Sequence, residues 1–156
     1  VRSFDAAEAQ DVARVVLAAE LVGVVDRLIE LTADHARSRS QFDRPIGAFQ
    51  AVKHRLADLY VALERARSLT YAAAMTLDDD DESRSTRRAA ALAKAAASEV
   101  AVNAARSAVQ LHGAMAITWE HDVHLLARRA RHGALWLGDA RTQYERAARL
   151  ALDEAS

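Results

Sequence analysis

Chain breakers are scarce in this sequence, and that constrains the fold more than any other feature. There is one proline, Pro45, and there are five glycines among 156 residues. Proline removes an amide donor and clashes with the preceding turn, and glycine forfeits backbone entropy, so long stretches free of both can stay helical. The remainder is rich in Ala, Leu, Arg and Glu, and it reads as almost entirely helical. Apolar residues make up 51% of the chain, enough for a packed core and too many for a disordered segment. No apolar run approaches the ~20 residues that span a bilayer. The 21 Lys and Arg against 22 Asp and Glu leave a net charge of −1, too balanced for an electrostatic footprint on nucleic acid or an anionic membrane. The absence of cysteine excludes disulfide scaffolds, thiol nucleophiles and Cys-ligated zinc. No signal-peptide pattern opens the chain, so the expected location is cytoplasmic. Val1 rather than methionine stands first, and the expectation is a piece of a longer protein.

Punctuation divides the chain into four segments. Ser38 to Gly47, with Pro45 near its end, reads as a loop. The acidic run Asp78-Asp79-Asp80-Asp81-Glu82 reads as a solvated turn, with an N-cap at Ser83 or Ser85. A third break covers Gly113 to Thr118, where Thr118 and Glu120 resemble a helix start, and Gly138-Asp139 marks a weaker interruption. Helices are therefore expected over roughly 8–36, 48–77, 84–112 and 119–151, the last broken near Gly138. Phe49, Val52, Leu56, Leu59, Leu63, Ala66 and Thr70 alternate steps of three and four, while Arg55, Asp58, Glu64 and Arg65 fall off that seam. Leu92, Ala96, Val100, Asn103, Ala104 and Leu111 form a second stripe of mostly small side chains, suited to close helix approach. Rods of about 42 Å joined by short loops make an all-α, antiparallel up-and-down four-helix bundle, and residues 1–156 read as one domain.

Two local patterns stand out from a generic bundle. Arg39-Ser40-Gln41-Phe42-Asp43-Arg44-Pro45-Ile46, followed by Phe49-Gln50, places guanidinium groups, two amides and aromatic rings in one short loop. Arginine suits bidentate phosphate contact and a ring suits a flat heterocycle, although the simplest local reading is a turn with Phe42 tucked into the core. The second pattern is Gln110-Leu111-His112-Gly113-Ala114-Met115-Ala116-Ile117-Thr118-Trp119-Glu120-His121-Asp122. Gly113 there either caps a helix or leaves the backbone open to a ligand.

Together the two segments resemble the C-terminal helical domain of the acyl-CoA dehydrogenases, flavoenzymes that oxidise acyl-CoA thioesters to enoyl-CoA. That family carries an Arg-x-Gln-Phe-Gly-x-Pro-Ile loop, a Gln-x-x-Gly-Gly-x-Gly turn, then Glu-Tyr and a helix with Arg-Asp-Ala-Arg. Here the matching residues are Arg39 to Ile46, Gln110 to Ala114, Glu120-His121 and Arg128-Arg129-Ala130-Arg131, in the same order and spacing across nearly the whole chain. The resemblance implies FAD at a subunit interface. It implies that Arg39 pairs with pyrophosphate, that Gln41 and Phe42 contact the dinucleotide, that Gln50 lies near the adenosine, and that Gln110 and Gly113 reach the same cofactor.

The resemblance also shows what is missing. Dehydrogenation removes a proton from Cα as hydride leaves Cβ, and the family's base is a Glu before a glycine or, in some members, a Glu on the first helix. The corresponding positions hold Leu137 and Ala13, the latter beside Arg14, and neither side chain can accept a proton. Glu20 and Asp139 are the nearby acids to weigh as replacements, with a solvated role the simpler reading for Glu20. Asp43, Ala114 and Ala116 stand where the family has glycine, and Arg129 replaces the Asp of Arg-Asp. These departures, and the run from Gly113 to His124, look more like divergent actinobacterial-type members and subunits that pair with a catalytic partner. Glu120, His121 and His124 offer only a weak metal pattern, lacking ligands from several helices. Arg128, Arg129 and Arg131 lack the aromatic interleaving of a nucleic-acid surface. The expectation is a homo- or hetero-oligomeric domain that contributes to FAD binding but neither retains FAD nor oxidises acyl-CoA alone, acyl-CoA being the substrate of the full assembly. The alternative is a purely structural helical oligomerisation module.

Overall fold

A computed structural model describes residues 6–78, 84–119 and 121–154. Its helices are α1 (Ala6–Ser38), α2 (Gln50–Asp78), α3 (Arg84–His112), α4 (Val123–Leu135) and α5 (Ala140–Glu154). A two-residue hairpin, β1 (Ser40–Gln41) with β2 (Arg44–Pro45), and a 3-10 turn at Ile46–Ala48 connect α1 to α2, and a second 3-10 turn occupies Gly113–Ile117. The expected bundle is present, and its last segment is divided into α4 and α5 by a turn at Gly138. Among the described residues no helix is long and apolar enough to cross a membrane.

Helix α3 lies at the centre and packs against α1, α2, α4 and α5. Its alanines explain why it can. Ala90, Ala93, Ala96, Ala97, Ala101, Ala104, Ala105 and Ala108 are all in the core, on several sides of the helix, so neighbouring axes approach closely all round it. The larger apolar groups come from the surrounding helices: Val15, Leu21, Val22, Val25 and Leu28 from α1, Leu59 and Leu63 from α2. Helices α1 and α4 meet so tightly at Gly133 that an added Cβ would sit 2.9 Å from Leu21 Cδ2.

Several sequence expectations need correcting. The α2 seam is buried from Leu59 through Leu63 and Ala66 to Thr70, but Phe49, Val52 and Leu56 are only half-buried, because the first turns of α2 stand clear of the core. Asn103 is exposed, and Leu92 and Leu111 are half-buried. The fourth rod starts at Val123, not 119. Thr118 is extended and its hydroxyl bonds back to Met115 O at 3.1 Å, so it cannot cap a helix ahead of it. Ser85 already lies within the first turn of α3, while Ser83, Asp79 to Glu82 and Glu120 lie outside the described residues.

Candidate functional site

At one end of the bundle the two singled-out segments come together. The Arg39 amide donates to His35 O at 2.8 Å and closes α1, and Ile46 N donates to Arg39 O at 2.8 Å, which folds the loop back on itself. The ladder pairs Ser40 with Pro45 and Gln41 with Arg44. Phe42 and Asp43 fill the tip with φ of +55° and +62°, the left-handed pair that a two-residue type I′ hairpin demands. A phenylalanine pays sterically for that conformation. Its ring is not tucked into the core, as the simplest local reading had it, but is 85% exposed. Behind it the Phe49 ring stands edge-on at 6.2 Å, and the Arg44 guanidinium lies 4.0 Å over the Phe49 centroid. Arg39 and Gln41 are exposed, and among the described residues Arg39 makes no ion pair. Gln50, exposed, opens α2.

Three histidines join this hairpin to the end of α3, and the sequence alone draws attention only to His121, as part of a weak metal pattern. The His35 and His112 rings stack at 4.3 Å, and His121 meets His112 edge-on at 4.9 Å. His112 Nδ1 bonds to Ala108 O at 2.9 Å, and its Nε2 is buried with no partner among the described residues. Burial holds both His35 and His112 below the usual histidine range; the neighbouring His121 and Arg39 lower His35 further, and His35 and His121 lower His112. Beside His112, Gln110 is exposed on the rim of a cleft of about 200 Å³ between α3 and α4, next to Arg106 and Arg131. Gly113 has φ of +61°, and an added Cβ would meet nothing within 4 Å. Ala114 is exposed, whereas the Ala116 methyl is fully buried in the core, facing away from any ligand. Exposed amides, a bare ring, and guanidiniums at Arg39, Arg106 and Arg131 form a donor set that fits a dinucleotide with its pyrophosphate.

The two positions matching the family's base sit elsewhere, against the turn between α4 and α5. Leu137 and Gly138 both take positive φ, +57° and +97°. A buried relay locks the turn: Gln143 Nε2 donates to Leu137 O, and Arg14 Nε donates to Gln143 Oε1 at 3.1 Å. Arg14 adjoins Ala13, so the two base positions border one place. Lys94, fully buried, donates to Ser98 Oγ at 2.7 Å, Ala134 O at 3.2 Å and Gly138 O at 3.3 Å. Its ammonium is lowered to about 8, by burial first and by Arg14 second, with Asp139 opposing. Along α3, Lys94 and His112 are 18 residues apart, about 27 Å. The chain therefore presents two separate places, not one.

The two candidate replacement acids are both engaged. Asp139 Oδ1 accepts from Thr142 N at 2.9 Å and Thr142 Oγ1 at 2.7 Å, the N-cap of α5, and those bonds hold its carboxyl below the usual range. Glu20 pairs with Arg129, the residue that replaces the family's Asp, and the guanidinium also lies 5.8 Å from the Trp136 centroid. His121 and His124 bond to local backbone at the start of α4, to Val123 N and His121 O.

This architecture defines a class. The family model for the acyl-CoA dehydrogenase C-terminal domain matches residues 5–152. The chain belongs to the acyl-CoA dehydrogenase family, as its C-terminal helical domain. Acyl-CoA dehydrogenase IpdE2 of Mycobacterium tuberculosis is 46% identical over 127 residues, covering 81% of this chain and 37% of that protein. Its counterpart in Mycolicibacterium smegmatis is 43% identical over 136 residues, covering 87% of this chain and 41% of that protein. Among solved structures, a variant of the Tcur3481-Tcur3483 steroid ACAD superposes with TM-score 0.88 at 32% identity, covering 93% of this chain and 39% of that one. The ChsE4-ChsE5 complex of Mycobacterium tuberculosis superposes with TM-score 0.85 at 34% identity, covering 90% and 37%. The chain thus spans about two fifths of the length of the relatives it matches.

Proposed function

We propose that this chain is the C-terminal domain of an FAD-dependent acyl-CoA dehydrogenase-like subunit that completes a flavin site shared with a second subunit and leaves proton abstraction to that partner. The observation that carries the reading is Phe42: a ring held 85% bare, at a backbone conformation costly for its side chain, beside an Arg39 that makes no ion pair among the described residues. Folding alone does not reward that arrangement, whereas a flat ligand does. Arg39 would neutralise pyrophosphate oxygens, Phe42 would lie against a ring, and the Gln41, Gln50 and Gln110 amides would fix orientation. Gly113, without a side chain, would let backbone approach the cofactor. FAD, when bound, supplies the acceptor for the hydride that leaves Cβ. Leu137 and Ala13 can only exclude water and shape the place where a base would act, and Asp139 and Glu20 are held by Thr142 and Arg129. The relatives determined as two-polypeptide assemblies, Tcur3481-Tcur3483 and ChsE4-ChsE5, support a partner that is a different chain.

The test compares the full-length protein, purified with its partner subunit, with the Arg39→Gln and Phe42→Asn variants. Asparagine tolerates left-handed φ, so Phe42→Asn is expected to keep or raise the melting temperature while bound flavin falls, and Arg39→Gln is expected to lower flavin by tenfold or more in affinity. Unchanged flavin with an unchanged oligomer would favour the alternative, an assembly module with no redox part. Acyl-CoA bleaching a flavin held by this chain without a partner would overturn the reading.

A further inference from the structure

The strongest unassigned feature is a cleft of about 270 Å³ between the start of α1 and α5, lined by Arg14, Leu137, Thr142, Gln143, Arg146, Arg149 and Leu150. Three guanidiniums face it, and Asp11 is the carboxylate that answers them. Asp11, itself almost completely buried, takes Arg14 Nη1 on Oδ1 at 2.6 Å, and the same oxygen lies 3.6 Å from Nη2 of Arg146, whose side chain is half-buried. Arg149 makes only a long bond to Glu145 O, 3.4 Å, and no ion pair among the described residues. Among the described side chains at the cleft, one negative against three positive groups leaves an excess of two positive charges.

The charge is also poorly accommodated by the fold. Arg14 is fully occupied, by Asp11, by Gln143 and by Gln10 Oε1 at 3.4 Å. Asp11 Oδ2 is left without a partner among the described residues, and Arg146 only adds a second guanidinium beside the Oδ1 already bonded to Arg14. Arg146 Nε is buried with no partner among the described residues. Burial and the facing Arg146 both pull Arg14 below its ordinary value, the signature of cations pressed together. A buried donor without an acceptor, beside surplus positive charge, is costly unless something else supplies the acceptor. Leu137 and Leu150 give the same cleft an apolar wall.

We propose that this cleft binds an anionic oxygen group, a carboxylate or a phosphate, carried on an apolar stem, with Arg146 and Arg149 as its new ligands and Leu137 and Leu150 against the stem. Arg14 and Leu137 also border the place where the family's base would act, so the proposal deepens that part of the proposed function. None of the flavin-end residues Arg39, Gln41, Phe42, Gln50, Gln110 and Gly113 takes part, and its test is distinguishable from theirs. The carboxylate would be that of an acid-bearing acyl chain, and the phosphate that of a nucleotide carrier.

Calorimetric titration and thermal shift on the full-length protein test this with octanoate, octanol, coenzyme A and inorganic phosphate. At least one of the anions is expected to bind with an affinity that falls as salt rises, while octanol does not bind. Arg146→Leu is expected to weaken that binding about tenfold or more, and Arg149→Gln less. Without anion, Arg146→Leu should raise the melting temperature, because Asp11 keeps Arg14 and a repulsion is gone. Arg128→Gln, on the far exposed side of α4, should change nothing. Octanoate binding lost with Arg146 assigns a carboxylate; coenzyme A and phosphate binding lost with it assigns a phosphate. Anion binding indifferent to Arg146, or Arg146→Leu lowering the melting temperature like the loss of a structural partner, would overturn the proposal. So would no anion binding at millimolar concentration. If Arg146→Leu fails to fold, Arg146→Lys, which keeps the charge and loses the fork, carries the comparison.

Discussion

Replacing Lys94 with methionine removes a buried charge but keeps the stem's volume. The side chain is wholly buried, and its ammonium titrates near 8 instead of 10.5. At 1.36 kcal/mol per pKa unit, that depression corresponds to about 3 kcal/mol of penalty for holding the proton in the fold. The sign follows from proton counting. Between pH 8 and 10.5 the unfolded chain binds more protons at this position than the folded one, so stability rises with pH across that window. Against this penalty stand the bonds to Ala134 O, at the last turn of α4, and Gly138 O, which closes the turn carrying Leu137. Each carbonyl left bare costs about 1–3 kcal/mol, so at pH 7.5 Lys94→Met should fall between about 1 kcal/mol more stable and about 3 kcal/mol less stable than wild type. The pH dependence separates the two contributions. Urea unfolding from pH 7.5 to 10.5 should show wild type gaining about 3 kcal/mol relative to Lys94→Met. Tyr144, raised by burial and by Glu99, titrates in both proteins and cancels in the difference. Parallel curves for the two proteins would refute the buried, proton-depressed lysine.

His35 and His112 should make the protein acid-sensitive: both are held below 6.5, so stability is complete above that pH and falls as the pH drops below it. His112→Phe, which keeps a ring on His35, should flatten the fall between pH 6.5 and 5, measured by urea midpoint. Asp139→Ala removes the α5 cap and should lower the midpoint of thermal unfolding, while the activity of the assembled enzyme stays unchanged. A pH–rate profile of the assembled enzyme that shifts with Asp139→Asn would contradict its placement as a cap.

Much of the fold was legible because helices announce themselves locally. The breaks at Pro45, Gly113 and Gly138 fall where the structure turns, and the stripe from Leu59 to Thr70 is buried as its spacing requires. The hairpin was not legible. Phe42-Asp43 lacks the Asn-Gly or Asp-Gly signature of a type I′ turn, and its positive φ values are imposed by the ladder between Gln41 and Arg44. Lys94 hid within the alanine-rich stretch from Ala89 to Ala97, where a single lysine on a helix reads as a solvated side chain. The relay from Arg14 through Gln143 to Leu137 spans 129 residues of sequence between its first two members, beyond the reach of any spacing rule.

What the order of residues settled alone was the set of helices and the places where they stop, since backbone propensity and missing amide donors act over a few residues. Which charges went inside was settled only by assembly. Asp11, Arg14 and Lys94 are buried because of how α1, α3 and α5 are rotated against one another, and Phe42 stays bare because the hairpin points it outward. Burial of a side chain depends on every helix around it, and that is a property no single stretch of sequence contains.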